Sequence, residues 1–126
     1  MVRRLLFLGI SGLVAVGMVP MAEAQQAPGY VIAIVGVEDP ETFANEYAAH
    51  VPATIKAAGG KVIVSAKEVE MLEGERDGNL TVVIEFPSVE AARDWYESEA
   101  YQATIPARHK AASLNRFMLV HGVAQQ

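Results

Sequence analysis

Three β-rich stretches of this 126-residue chain are apolar at consecutive positions instead of alternate ones. They are Tyr30-Val31-Ile32-Ala33-Ile34-Val35-Gly36-Val37, Val82-Val83-Ile84 and Met118-Leu119-Val120. Successive strand residues point to opposite faces, so such runs predict a sheet covered on both sides. One layer of helices covers only one side. A contiguous apolar patch as large as the other side is rare on a monomer. The simplest cover is the same sheet of a second chain, which predicts a homodimer packed through the sheet face.

The segments between these strands set the topology. Asp39-Pro40-Glu41 predicts a helix start: Asp39 caps free amides, Pro40 suits the first turn, and Glu41 complements the dipole. Phe43, Tyr47, His50/Val51 and Thr54 then recur at helical spacing. Pro52 predicts a kink or restart near Val51. Gly59 is placed to close that helix.

A second strand is expected over Lys61–Ala66, with Lys67–Glu73 as its ragged continuation or a short hairpin arm. The acidic run Glu68, Glu70, Glu73, Glu75 and Asp77, interleaved with Val69 and Met71, reads as an exposed edge strand protected from aggregation. The third strand is Asn79–Phe86, stopped by Pro87. Ser88 and Ser98 cap the helices that follow, the second disturbed by Pro106, and Leu114–Val123 supplies the last strand. The order β-α-β-β-α-β predicts an α+β, ferredoxin-like domain: a four-stranded antiparallel sheet with helices on one face.

Ahead of this domain the chain reads as a cleavable export signal over residues 1–24. Arg3 and Arg4 precede a 15-residue apolar run, Leu5 to Val19; Pro20 breaks it, and Ala22-Glu23-Ala24 offers a cleavage site. The run is shorter than the roughly 20 residues a membrane span needs. The expected product is exported, periplasmic or secreted, with no membrane attachment after cleavage. Residues 25–29 read as a linker and 30–123 as the domain. Removing Arg3, Arg4 and Glu23 moves the formal charge from −5 to −6. An acidic surface without a basic stripe argues against a nucleic-acid partner. No cysteine is present, so disulfides and thiol chemistry are excluded.

Ala58-Gly59-Gly60, Leu72-Glu73-Gly74, Val83-Ile84-Glu85-Phe86-Pro87, Trp95-Tyr96-Glu97-Ser98-Glu99-Ala100-Tyr101-Gln102 and Arg108 follow one another in an order and spacing that resembles the domain of unknown function 1330 family. The resemblance spans roughly Tyr30 to Val123 and implies the dimeric α+β barrel superfamily. That superfamily holds cofactor-independent monooxygenases, haem enzymes and small-molecule binders, so membership leaves the activity open. Short members mostly lack a leader, and the export signal sets this chain apart from them.

No motif names a reaction. The architecture permits a pocket between sheet and helices, for which the ligand-binding candidates are Tyr47, His50, Glu85, Trp95, Tyr101 and Arg108. Glu85 points away from Ile84 and Phe86, and a buried carboxylate there would need a partner, with Arg108 the natural one. Such a pair would either tie a helix to the sheet or hold a polar ligand group. His50 is either a core histidine or a proton acceptor, since histidine titrates nearest neutrality. Trp95 and Tyr101 are either plain core or the walls for a flat ligand, Tyr101 with its hydroxyl at the pocket mouth. His50, Glu85 and Arg108 are the catalytic candidates.

The histidines fall in neither HxH nor HExxH spacing, so no metal site and no cofactor are expected. Three readings follow: a homodimer binding a small hydrophobic or aromatic molecule, a cofactor-independent monooxygenase- or isomerase-like enzyme, and a structural dimer without ligand.

Overall fold

A computed structural model describes residues 26–125. The predicted export signal lies outside the described residues. The first strand, β1, runs Gly29–Val37 and buries Val31, Ala33 and Val35 on one face. It begins one residue inside the expected linker, because Gly122 donates to the Pro28 carbonyl at 2.8 Å and draws the lead-in onto the sheet. Gly29 admits no side chain: a Cβ there would lie 2.6 Å from the backbone of Ser88 and Val89.

Asp39 caps a single turn, α1 (Pro40–Thr42), its carboxylate accepting from Thr42 N at 3.1 Å. The chain then widens into a π-helix over Phe43–Ala48, with Ala49 N donating to Ala44 O at 3.0 Å. A regular helix, α2 (Val51–Ala57), restarts where Pro52 fits its first turn. Gly59, at φ +75°, closes it as expected.

Strands β2 (Lys61–Ala66) and β3 (Leu80–Phe86) follow, then helices α3 (Val89–Glu97), α4 (Glu99–Gln102) and α5 (Ile105–Ala111), and finally β4 (Ala112–His121). Ser88 Oγ accepts from Ala91 N at 3.1 Å and Ser98 Oγ from Tyr101 N at 3.2 Å, so both serine caps form. Residues 67–79 are irregular, which corrects the expected continuation of β2 and its acidic edge strand. Without a partner strand the alternation of charge and apolar residues there has no sheet to join, and Leu72 stands 88% exposed. Asn79 pins the far end of this loop, its amide bonding both the N and the O of Val37 at 2.7 and 2.8 Å.

The sheet is antiparallel throughout, in the order β2-β3-β1-β4. Register places Val31 beside Ile84 and Leu119, and Ala33 beside Val82 and Phe117, on the face that the helices cover. Tyr30, Ile32 and Ile34 pair with Glu85, Val83 and Thr81 on the open face, which Met118 and Val120 extend across β4. The apolar open face anticipated above is therefore present. Among the described residues no helix is long and apolar enough to cross a membrane.

Candidate functional site

The helix side of the sheet holds an aromatic nucleus. Trp95 on α3 is 1% exposed; its ring lies 4.0 Å from that of Tyr101, edge-on, and 5.4 Å from that of Phe86. Its indole N–H donates to Thr54 Oγ1 at 2.9 Å, tying α3 to α2. Tyr101 is fully buried, and its hydroxyl meets that of Tyr47 at 2.8 Å. Trp95 and Tyr101 are thus core residues, and the Tyr101 hydroxyl faces inward and not to a pocket mouth.

Arg108 completes the nucleus. It is buried on α5, donates from Nη1 to Asn115 Oδ1 at 2.7 Å, and lies over the rings of Phe117 (4.0 Å) and Tyr47 (5.6 Å). Burial pushes the Tyr47 phenol up, against the opposing pull of the Tyr101 hydrogen bond and the Arg108 charge. Burial, then the charge and hydrogen bond of Tyr47, push the Tyr101 phenol further up. Both phenols are therefore neutral near pH 7, and neither supplies an anion to the guanidinium.

Glu85 is not its partner. Strand parity puts Glu85 on the open face, where it accepts from Tyr30 Oη at 3.1 Å and sits 3.5 Å from Lys61 Nζ. Its hydrogen bond raises the Tyr30 phenol above the ordinary value. The sheet itself separates Glu85 from Arg108, which corrects the expected pair. His50 is exposed, because the π-helical turn inserts a residue and rotates Val51 and Ile55 inward in its place. Hence the three catalytic candidates do not converge. Of the six ligand-binding candidates, the structure gathers Tyr47, Trp95, Tyr101 and Arg108 and leaves His50 and Glu85 outside. Among the described residues no three His, Asp or Glu side chains group to hold a metal ion.

Of the clefts around the nucleus, one lined by Thr54, Asp94 and Trp95 lies among the helices, and two others lie against the sheet. The larger, about 510 Å³, lies between the π-helix and the strand ends; Phe43, Ala44, Ala48, Val37 and Leu80 wall it, with Lys67 and Asn79 also lining it. The smaller, about 300 Å³, opens between α3 and β4 beside Tyr96 and Phe117. Residue spacing could not reveal the larger cleft. The wide helical turn that shapes it leaves no mark in a 3.6-residue pattern.

This four-stranded antiparallel sheet with its helices packed on one face defines a ferredoxin-like α+β domain. The chain belongs to the family described as Domain of unknown function (DUF1330), whose sequence profile matches residues 28–123. Its fold is similar to that of a protein of unknown function from Rhodopseudomonas palustris, at 20% identity, 79% of this chain, 85% of that one and a TM-score of 0.61. It is also similar to a candidate antibiotic biosynthesis monooxygenase from Caulobacter crescentus (18% identity, 79% and 92% of the two chains, TM-score 0.53). An ethyl tert-butyl ether D family protein from Bacillus halodurans shares it at 21% identity, 75% and 97% coverage and a TM-score of 0.51. These identities carry the fold alone. A comparison with curated proteins finds no match.

Proposed function

We propose that this chain is an exported homodimer that binds a small hydrophobic or aromatic molecule in the cleft between its π-helix and sheet. The observation that carries this reading is the cleft itself, about 510 Å³ and walled mainly by apolar side chains with a few polar groups. Small-molecule sites have that volume and that lining. Among the described residues no histidine or carboxylate lines it, so binding fits better than catalysis.

The dimer rests on the open face. Ile32, Val83, Met118 and Val120 present apolar surface away from the helices, and Met118 is 43% exposed. A second copy of the same face buries them at the cost of no new polar group in the centre. Tyr30, Glu85 and Lys61 lie toward one end of this face as a polar margin. Export rests on the charge, apolar run and small residues of positions 1–24.

Native mass spectrometry of the protein from the exported fraction of a producing cell tests export and assembly together. The expected mass is two copies of residues 25–126. A single-chain mass, or a chain still carrying Met1, would overturn that part of the proposal. Ligand binding is tested with 2-naphthalenemethanol by calorimetry. One molecule per chain is expected to bind, and Ala44→Trp, which drives an indole into the cleft from its wall, is expected to weaken binding at least about tenfold, or 1.4 kcal/mol. Undiminished binding by that variant would place the ligand elsewhere, and no binding at all would leave the structural dimer.

A further inference from the structure

Among the described residues Arg108 is the one buried charge, and the proposed binding does not use it. It is 2% exposed, forms no ion pair among the described residues, and its Nε is buried without a hydrogen-bond partner. Guanidinium groups stay charged in proteins. Withdrawing such an ion from water is costly unless it is paired. The Phe117 and Tyr47 rings face it, Asn115 Oδ1 accepts from Nη1, and the neighbouring Tyr47 and Tyr101 hydroxyls are neutral. No anion among the described residues pairs with it.

The position of the charge says from which side an anion would reach it. Phe43 walls the larger cleft, and its ring centroid lies 5.0 Å from that of Tyr47, tilted by 49°. The guanidinium lies 5.6 Å over the other partner of that pair, Tyr47. Of these three residues only Phe43 lines the cleft, and Tyr47 touches both Phe43 and the guanidinium, so the pair stands between the open space and the charge. Because Nη1 is engaged by Asn115, the guanidinium edge still available is the one carrying Nε, which matches the two oxygens of a carboxylate side-on.

We infer that the ligand of the cleft is an amphipathic monoanion, whose apolar body fills the cleft and whose carboxylate reaches past the Phe43–Tyr47 pair to Arg108. The inference rests on the cleft being the binding site and names the chemical class of its occupant. The ligand then serves as the counter-ion that the fold omits. Lys67, which lines the same cleft from the loop after β2, is the competing cation.

The test compares 2-naphthoate with 2-naphthalenemethanol, which share a ring system and differ in charge, on the wild-type protein and on Arg108→Met and Lys67→Met. Arg108→Met keeps a long apolar stem and removes a buried charge, so it is expected to fold at least as stably as the parent. On the wild type, naphthoate is expected to bind at least about tenfold more tightly than the alcohol. Arg108→Met is expected to erase that preference, Lys67→Met to keep it, and Arg108→Lys to keep part of it. Equal affinities on the wild type, or a preference lost in Lys67→Met and kept in Arg108→Met, would overturn the inference while leaving the cleft as a binding site. If neither compound binds, the binding proposal falls and this inference with it.

Discussion

Replacing Val83 with glutamate is expected to turn the proposed homodimer into single chains while each chain stays folded. Val83 sits on an inner strand, flanked across the sheet by Ile32 and Val64, and its side chain points away from the helices. In a lone chain it is only half-buried, so a carboxylate there keeps water and costs the fold little. In a face-to-face dimer the same carboxylate enters a dry interface, and symmetry makes it enter twice. Each uncompensated charge costs several kcal/mol, and two together weaken association by at least about a thousandfold. Sedimentation should show one chain's mass at concentrations where the parent shows two, with unchanged far-UV circular dichroism. A Val83→Glu protein that still sediments as a dimer would move the interface off the sheet.

Trp95→Ala should be the most damaging single change to the fold. The indole is buried against Phe86 and Tyr101 and holds α3 to α2 through Thr54. Truncating a buried tryptophan costs about 3–5 kcal/mol. A domain of this size is stable by only about 5–15 kcal/mol, so the loss takes a large share. Trp95→Phe separates packing from hydrogen bonding. It leaves Thr54 Oγ1 still donating to the Val51 carbonyl at 2.6 Å, so its extra polar cost should stay near 1 kcal/mol. Urea unfolding of both variants gives the comparison. A Trp95→Ala chain within about 1 kcal/mol of the parent would mean that the nucleus is not the structural centre described here.

Much of the fold was legible because it depends on local chemistry. Asp39, Ser88 and Ser98 cap helices, Pro52 restarts one, and Gly59 ends one, each through bonds within a few residues of itself. Strand parity also placed Glu85 on the face opposite Ile84. The expected partnership with Arg108 ignored that parity, since the helix carrying Arg108 packs on the Ile84 side. Tyr30, the residue that does bond Glu85, is 55 positions away and meets it only through the register of β1 on β3.

His50 was misplaced for a different reason. A helical wheel drawn at a constant 3.6 residues per turn cannot represent a turn that bonds five residues back. The burial of Arg108 without an anion was likewise invisible, because nothing in the residue types around it distinguishes a buried cation from a solvated one. The candidate site was therefore half readable: a pocket between sheet and helices and the aromatic residues near it were anticipated, whereas the residues that line the larger cleft, Phe43, Ala44, Ala48 and Lys67 among them, were not.

That same wide turn changes the mechanics of the first crossover. A continuous α-helix is a stiff shaft, in which rotating one end carries the other with it. Here Ala49 bonds to Ala44, the next turn breaks at His50, and a new helix begins at Val51. The crossover is two rods joined by a slipping coupling, one bearing Phe43 and Tyr47 and the other anchoring Ile55 against the sheet. Such a coupling is expected to confine any adjustment of the aromatic wall to the first rod, so that the proposed binding cleft would reshape around an occupant while the layer beneath it holds still.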